Sequence, residues 1–432
     1  MITAEENERL TRVGPGTPGG EVLRRYWQPA ALAEELDAHP VVPVTLLGER
    51  LVLFRDDAGD LGLVQRSCPH RGVDLSYGRC EDGGLRCPFH GWLFDRLGRC
   101  LERPAEADGA GLGDRRVARA YPCLVRAGIV WAYLGPGDPP RFPHLDCFEA
   151  PGTHGFAFKG LWECNWLQAL EVGIDPAHAS YLHRFETDAA EARYGEQFRA
   201  AGAAETTMPM TRLLREYARP RIQVEQTPYG LRLKAIRDAG EHGVHVRVTN
   251  QIFPNAIAIP MSPTMGITQW HVPVDDTRCY WYSIFTSYAE PVDQDRMRAQ
   301  RIAECTLPDY APRRNAATRY GFDAEEQRLE TYTGMGQDIN VHDQWAVESP
   351  GPIADRTREL LGRTDIGIVT FRRLFKDAMR AIEGNEDVPS PPPGDGSDAA
   401  AIDCLLPAGA DVEGWRERAA ARRAAAWTDV PA

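Results

Sequence analysis

Two short cysteine–histidine pairs carry the most specific chemistry in the sequence. They are Cys68-Pro69-His70 and Cys87-Pro88-Phe89-His90, and sixteen residues separate them. Each pair offers one thiolate and one imidazole as metal ligands. A [2Fe–2S] centre that has two Cys on one iron and two His on the other needs this ligand set. The pattern therefore predicts a cluster that carries single electrons.

The alternative for the same four residues is a structural zinc ion. Zinc sites usually pair Cys-x2–4-Cys with His-x3–5-His, whereas each loop here combines one Cys with one His. A proline follows each Cys, and Gly72 and Gly91 follow closely on the histidines. Pro and Gly suit rigid, tightly turned loops whose backbone N–H groups point at cluster sulfurs. We therefore favour the iron–sulfur cluster over zinc.

A second set of potential ligands lies in WECNWLQALEVGIDPAHASYLH (162–183), which contains Asp175, His178 and His183. Two His and one carboxylate on one face of an iron form the facial triad of non-haem Fe(II) oxygenases. The histidines are five residues apart, which is not a one-face helical spacing. Pro176 also breaks a regular helix just before them. The alternative is a pair of core histidines, but the predicted electron carrier favours an acceptor iron here.

The residues alone leave the carboxylate ligand of this second site open. Asp175 is too close in sequence to the His pair to be the obvious choice. The segment GQDINVHDQWAVESPGPIADR (336–356) offers Asp338, His342, Asp343 and Glu348 as distal candidates. Composition does not choose among them.

Composition restricts the class of protein. The net charge of -13 argues against nucleic-acid binding, because the chain has no basic stripe to neutralise phosphates. No apolar run approaches the roughly 20 residues that span a membrane. The polar, acidic start MITAEENERL is not that of a signal peptide. Ten cysteines without paired spacing suit a reducing compartment, so we expect a cytoplasmic protein.

Strand and helix signals predict an α+β fold with four segments. Strands at 42–48, 50–56, 61–65 and 128–135 surround the Cys-His loops, and five longer strand runs with alternating polarity follow between 221 and 288. Apolar residues from Ile368 to Ile382 recur at helical spacing and predict a long helix that covers the second sheet. The predicted segments are an N-terminal helical segment (1–27), an all-β cluster domain (28–140), a catalytic domain of helix-grip type (141–388), and a Pro-rich linker with a C-terminal tail (389–432).

The chain resembles the phthalate-dioxygenase branch of the Rieske non-haem iron oxygenases along nearly its whole length. CPHRG and CPFHGW resemble the Rieske cluster loops, and CNWLQALEVGIDPAHASYLH is similar to the branch's mononuclear-iron segment. VGPGTPGGEVLRRYW, VPVDDT and HDQWAVESPGPIADR are similar to other stretches typical of it. Val172 is a departure, because family members commonly carry Gly or Asn there.

The resemblance implies site residues, cofactors and partners. Asp343 is the implied third iron ligand beside His178 and His183. Asp175 is the implied bridge between a Rieske histidine of one subunit and His178 of the next. The implied assembly is a head-to-tail homotrimer that receives electrons from an NAD(P)H-dependent flavin and iron–sulfur reductase. The implied reaction uses O2 at a mononuclear Fe(II) site.

The expected function is that of a terminal oxygenase that hydroxylates an aromatic, carboxylated substrate. Arg237 and Arg247 lie on predicted strands, where either can hold a carboxylate bidentately, although a solvated strand face is the alternative. The residues do not separate dioxygenation from monooxygenation, such as O-demethylation of a methoxylated aromatic. A protein that only transfers electrons is a third hypothesis. The aperiodic region 186–216 is predicted to be a lid.

Overall fold

The chain divides into two compact units, which the computed structural model describes over residues 2–106, 116–188, 210–386, 388 and 399–427. The smaller unit comprises Arg12–Phe142 and Val272–Asp276, and the larger comprises Met1–Thr11, Pro143–His271 and Thr277–Ala432. Most of the predicted lid and linker, at 189–209 and 389–398, lies outside the described residues.

The predicted N-terminal segment 1–27 does not form a body of its own. It divides between Thr11 and Arg12. The Thr11 carbonyl accepts a hydrogen bond from Asn165 Nδ2 at 2.9 Å, which ties the first helix to the larger unit. Arg24 instead pairs with Glu49 at 3.0 Å inside the smaller unit. These buried polar contacts, which lie far apart in sequence, explain why local composition did not predict the division.

The smaller unit is built from short strands in three small sheets. Their orders are β1-β11-β10, β2-β3-β4-β9 and β5-β6-β7-β8. The strands are β1 (Gln28–Leu32), β2 (Val41–Leu46), β3 (Glu49–Arg55), β4 (Leu61–Gln65), β5 (Arg79–Glu81), β6 (Gly84–Arg86), β7 (Leu93–Phe94), β8 (Cys100–Glu102), β9 (Ala120–Tyr121), β10 (Cys123–Arg126) and β11 (Ile129–Ala132). The predicted all-β character is confirmed.

A small apolar core fixes the Cys-His loops of this unit. Val52, Phe54 and Val64 of the second sheet pack with Leu85 and Phe94 of the third, and all five side chains are fully buried. Cys68 and Cys87 belong to the same cluster and are each 2% exposed. Burial of these apolar side chains, at about 25 cal/mol per Å2, anchors the loops to the sheets.

The larger unit is organised around one eight-stranded sheet with the order β12-β18-β17-β16-β15-β14-β13, in which β21 also pairs with β15. A two-stranded sheet, β19-β20, lies outside it. The strands are β12 (Gly155–Trp162), β13 (Arg221–Thr227), β14 (Gly230–Asp238), β15 (Val244–Ile252), β16 (Ala256–Pro260), β17 (Met265–Pro273), β18 (Cys279–Ser287), β19 (Cys305–Thr306), β20 (Ala311–Pro312) and β21 (Ile402–Leu406). The five strand runs predicted between 221 and 288 coincide with β13, β14, β15, β17 and β18.

Helices cover this sheet as the sequence predicted. The helices of the described chain are α1 (Ala4–Thr11), α2 (Pro18–Arg24), α3 (Glu35–Ala38), α4 (Asp146–Glu149), α5 (Trp166–Ile174), α6 (Met210–Glu216), α7 (Gln294–Ala303), α8 (Ala324–Leu329), α9 (Ile339–Glu348), α10 (Ile366–Glu383) and α11 (Trp415–Ala425). The long helix α10 buries Phe371 and Phe375 completely. The Phe375 ring lies 5.8 Å from that of Phe253 beside the sheet and 5.2 Å from that of Trp166 on α5. The α+β fold is therefore confirmed.

The described part of the C-terminal tail, within the predicted linker and tail segment 389–432, packs in the larger unit. Strand β21 pairs antiparallel with β15, from Val244 opposite Leu406 to Val248 opposite Ile402. Trp415 of α11 is 3% exposed and packs in the same apolar cluster. The five-residue strand signal is too short to stand out beside the Pro-rich linker. Among the described residues, no helix has both the length and the apolar character needed to cross a bilayer.

Candidate metal centres

Tight turns present the two cysteines of the smaller unit. The Gly72 N–H donates to the Cys68 carbonyl at 2.8 Å, and the Gly91 N–H donates to the Cys87 carbonyl at 3.0 Å. Both glycines have positive φ, at 75° and 74°, which a residue with a Cβ adopts only at a cost. The two thiols face each other, and burial together with the nearby Cys87 thiol raises the pKa of Cys68 to about 11.

The two histidines of the same loops also lie together. The His70 and His90 ring centroids are 4.6 Å apart, with the rings steeply inclined at 69°. His90 Nδ1 is buried and has no hydrogen-bond partner in the protein. The loops therefore sort the ligands by type, thiol beside thiol and imidazole beside imidazole.

This arrangement fits a [2Fe–2S] cluster better than one zinc ion. A single tetrahedral ion at about 2.0–2.3 Å from each ligand draws all four ligand atoms to within about 4 Å of one another. Within the described part of the chain, the His, Cys, Asp and Glu ligand atoms that all lie within 4.8 Å of one another belong to a different set. A binuclear cluster with one cysteine-bound and one histidine-bound iron matches the sorted donors.

That other set consists of His178, His183 and Asp343 in the larger unit. His178 Nε2 lies 3.2 Å from His183 Nε2. Asp343 Oδ1 lies 3.2 Å from His183 Nε2 and 3.9 Å from His178 Nε2. Three ligand atoms bound to one ion at about 2.0–2.2 Å are spaced in this way. Two imidazoles and a carboxylate are also the donor set of non-haem iron, so the residues present fit that metal.

The turn after α5 aims His178 at this point. Asp175 ends α5, and its Oδ1 accepts a hydrogen bond from the Ala177 N–H at 2.8 Å. His178 Nδ1 is hydrogen-bonded to the Asp175 backbone carbonyl, so its Nε2 is the nitrogen left to bind metal. Burial lowers the pKa of His178 and keeps the imidazole neutral, the form that metals bind.

Helix α5 is itself fixed by a buried ion network. Glu171 accepts hydrogen bonds from Arg372 Nε at 2.6 Å and from Arg356 Nη2 at 3.0 Å. Arg372 also pairs with Glu359 at 2.6 Å. Burial alone raises the pKa of Glu171, but the two arginines outweigh it and leave the pKa below its ordinary value. The network ties the start of the metal-binding segment to α10.

The structure separates the carboxylate candidates that the sequence left open. Asp343 joins the histidines from α9. Asp338 caps α9 through the Asn340 N–H and pairs with Arg301 at 3.2 Å. Glu348 accepts hydrogen bonds from the Tyr320 hydroxyl and the Glu163 N–H, both at 2.9 Å. His342 Nε2 donates a hydrogen bond to the Gly336 carbonyl at 2.8 Å, and its ring lies 5.8 Å from that of His183 at an angle of 23°.

Of the two predicted substrate arginines, only Arg237 points to the metal-binding segment. It is 1% exposed, and its Nη2 donates to Ser180 Oγ at 3.1 Å. Its Nη1 is buried without a partner, and burial lowers its pKa to about 10. Arg247 instead donates to Asp403 Oδ2 at 2.9 Å.

Sequence analysis missed one buried polar group near the second site. His271, on β17, is 1% exposed and has no partner at either ring nitrogen. Its ring lies 5.7 Å from that of Trp162. Burial dominates and lowers the pKa of His271 to about 3, against the charge of the Asp343 carboxylate, which raises it, so His271 is neutral. The alternation of β17 predicts only which face of the sheet the His271 side chain lies on. It does not indicate a functional role.

Two family models together match most of the chain. The Rieske [2Fe-2S] domain family matches residues 26–122, and the family described as LigXa C-terminal domain like matches residues 132–419. The phthalate 4,5-dioxygenase oxygenase subunit of Pseudomonas putida is 36% identical over 89% of this chain and 88% of its own length. The 5,5'-dehydrodivanillate O-demethylase oxygenase subunit of a Sphingobium species is 32% identical over 90% of this chain and 82% of its own length.

A solved structure, NdmB of Pseudomonas putida CBB5, shares the fold with a TM-score of 0.57 at 21% identity, covering 89% of this chain and 97% of that one. Both curated relatives are named as oxygenase subunits. The chain belongs to the Rieske non-haem iron oxygenases and carries a Rieske [2Fe–2S] domain together with the family's mononuclear-iron domain.

Proposed function

We propose that this oxygenase hydroxylates a carboxylated aromatic compound with O2 and electrons from an NAD(P)H-dependent reductase. Cys68, His70, Cys87 and His90 hold the cluster, and His178, His183 and Asp343 hold the mononuclear iron. The observation that carries this proposal is the convergence of three metal-ligand atoms within 4.8 Å from two separate segments. When bound, the cluster supplies single electrons and the mononuclear iron activates O2.

The protein's own contribution to the reaction is positioning. Asp175 orients the His178 ring through its carbonyl, and burial keeps that imidazole neutral. The His342 ring packs beside that of His183, with centroids 5.8 Å apart. Because these groups are fixed before the substrate arrives, little reorganisation is needed when charge develops at the reacting centre.

Arg237 is the proposed partner of the substrate carboxylate. Its unpartnered Nη1 is buried next to Ser180, two residues after His178, so an anion there gains a charge-assisted hydrogen bond. The names of two relatives, phthalate 4,5-dioxygenase and 3-chlorobenzoate-3,4-dioxygenase, refer to aromatic acids and agree with this substrate class. The pairing of Arg247 with Asp403 makes Arg237 the stronger candidate of the two.

Oxidative O-demethylation of a methoxylated aromatic is the second candidate function. One relative that covers 90% of the chain is named as an O-demethylase. The neutral, unpartnered His271 imidazole supplies a donor for an ether or phenol oxygen. The hypothesis of electron transfer alone is disfavoured, because His178, His183 and Asp343 retain a complete ligand set.

The proposed active assembly is a head-to-tail homotrimer in which Asp175 connects the cluster of one subunit to the iron of the next. Exposed aromatic side chains close to the ligands in sequence support such a contact. Tyr181 and Trp345 are 49% and 36% exposed in the larger unit, and Tyr77 and Phe89 are 77% and 52% exposed in the smaller unit. Head-to-tail contacts of this kind close into a ring under threefold symmetry.

A substrate screen with a surrogate NADH-fed reductase and isotopically labelled O2 tests the reaction. We expect a labelled hydroxylated product from an aromatic acid, with a cis-diol indicating dioxygenation. Formaldehyde release from a methoxylated aromatic favours the second candidate. The His183→Ala variant is the control and makes neither product. Rapid cluster reduction without product from either substrate class contradicts the proposed function.

A further inference from the structure

Each imidazole of the Cys-His loops contacts an aromatic ring of the second loop region, His70 the ring of Trp92 and His90 that of Phe89. The His70 and Trp92 rings are parallel, with centroids 4.5 Å apart and an angle of 2°. The His90 and Phe89 centroids are 3.9 Å apart at an angle of 49°. Both rings therefore lie directly against an imidazole that is a candidate ligand of the cluster.

An arginine guanidinium lies over each of these aromatic rings. Arg103 Cζ lies over the Trp92 ring at 5.8 Å from its centroid, and Arg71 Cζ lies over the Phe89 ring at 5.4 Å. The two layers are therefore His70–Trp92–Arg103 and His90–Phe89–Arg71. Cations at this distance from an aromatic face are attracted by its quadrupole, which fixes the guanidinium position. The two layers have the same order although their residues come from different parts of the loops.

A fixed positive charge near a cluster has a definite electrostatic consequence. Reduction adds one electron to the cluster, and a nearby cation stabilises the more negative reduced form. The effect declines where solvent screens the charge. Arg103 is half-buried, whereas Arg71 is exposed, so the Arg103 charge is the less screened of the two. Indole also binds cations more strongly than phenyl.

We propose that Arg103 and Arg71, each placed one aromatic ring away from a cluster imidazole, raise the reduction potential of the [2Fe–2S] cluster, with the larger contribution from Arg103. They would act on the cluster through their charge and not as its ligands. Trp92 has the separate task of holding Arg103 at its distance. Reduction adds one electron and breaks no bond. The arginines change only the free energy of that reduction.

The test is the reduction potential of the purified holoprotein, measured by a titration followed by circular dichroism or electron paramagnetic resonance. Arg103→Gln is expected to lower the potential, Arg71→Gln to lower it by less, and Arg103→Lys to restore most of the loss. Arg79→Gln is the matched control. Arg79 is a 77% exposed arginine of the smaller unit that pairs with Glu81, and its loss removes one positive charge without a ring contact.

The Trp92→Leu variant separates position from charge. With Arg103 retained, it is expected to lower the potential because the guanidinium is no longer held over the ring. The oxidised-cluster spectrum and the acid-labile sulfide content check that each variant keeps its cluster. If Trp92→Leu loses its cluster, the arginine variants alone test the proposal. Equal potentials for wild type, Arg103→Gln and Arg79→Gln overturn the proposal, as does a higher potential in Arg103→Gln.

Discussion

His183 Nε2 lies 3.2 Å from Asp343 Oδ1, although the two residues belong to segments far apart in the sequence. His183 follows α5 by a short turn, while Asp343 lies inside α9. Their meeting requires α5 and α9 to pack together. Gln168 of α5 makes this packing specific, because its Nε2 donates to the Val347 carbonyl of α9 at 2.6 Å. The metal site is thus a product of helix packing rather than of a local motif.

Replacing the Asp175 side chain separates the role of its carboxylate from that of its backbone carbonyl. Asp175→Asn keeps the carbonyl that orients His178, so we expect both metals to remain bound. The proposed bridge to the neighbouring subunit is lost, and product formation should fall to a small fraction of the wild-type rate. Steady-state turnover with metal analysis checks this. Asp238→Asn, at an exposed turn, is the control, and a wild-type rate in Asp175→Asn contradicts the bridge.

Replacing Arg237 is expected to affect substrate binding more than turnover. A charge-assisted hydrogen bond contributes about 1.5–3 kcal/mol, so Arg237→Gln should raise KM for an aromatic acid roughly 10- to 100-fold. The neutral amide of the same acid should be affected far less. Arg247→Gln, which breaks the pair with Asp403, should lower stability and leave KM nearly unchanged. Equal losses for acid and amide contradict the carboxylate contact.

Replacing His271 by Phe is expected to stabilise the protein and weaken substrate binding. It removes two buried ring nitrogens without partners, a cost of about 1–3 kcal/mol. His154→Phe is the matched control, because both His154 nitrogens have partners at 3.0 Å, Thr153 Oγ1 and the Ala289 carbonyl. Thermal unfolding and KM together check the prediction. A destabilised His271→Phe with unchanged KM assigns His271 to the core.

The Glu171 network should make stability fall in acid. The folded pKa of Glu171 lies below its ordinary value of 4.5, so the stabilisation is complete above that pH and is lost as the pH falls through the folded pKa. Glu171→Gln leaves two buried arginines poorly paired and should cost about 3–5 kcal/mol at neutral pH. Glu359→Gln, at the more exposed end, should cost less. Thermal unfolding between pH 3 and 7 distinguishes the variants, and a pH profile unchanged by Glu171→Gln contradicts the assignment.

Local patterns in the sequence predicted much of the fold and part of the site. Residue spacing within a segment predicted the Cys-His loops, five strands of the second sheet and the long helix α10. Other features depend on contacts between distant segments. The residues alone did not choose Asp343 from among Asp338, His342 and Glu348, and the resemblance to a family supplied it. The division after Thr11, strand β21 and the isolation of His271 had no local signal, because each arises from packing against residues far away in the sequence.

Iron content tests the central claim most directly. The proposed cluster holds two irons and the site of His178, His183 and Asp343 holds one, so the wild-type chain should bind about three. Asp343→Ala should bind about two, with the electron paramagnetic resonance signal of the reduced cluster unchanged. Asp338→Asn, which alters a neighbouring carboxylate of the same helix, should retain about three. Three irons in Asp343→Ala, or loss of the cluster signal together with the third iron, contradicts the assignment.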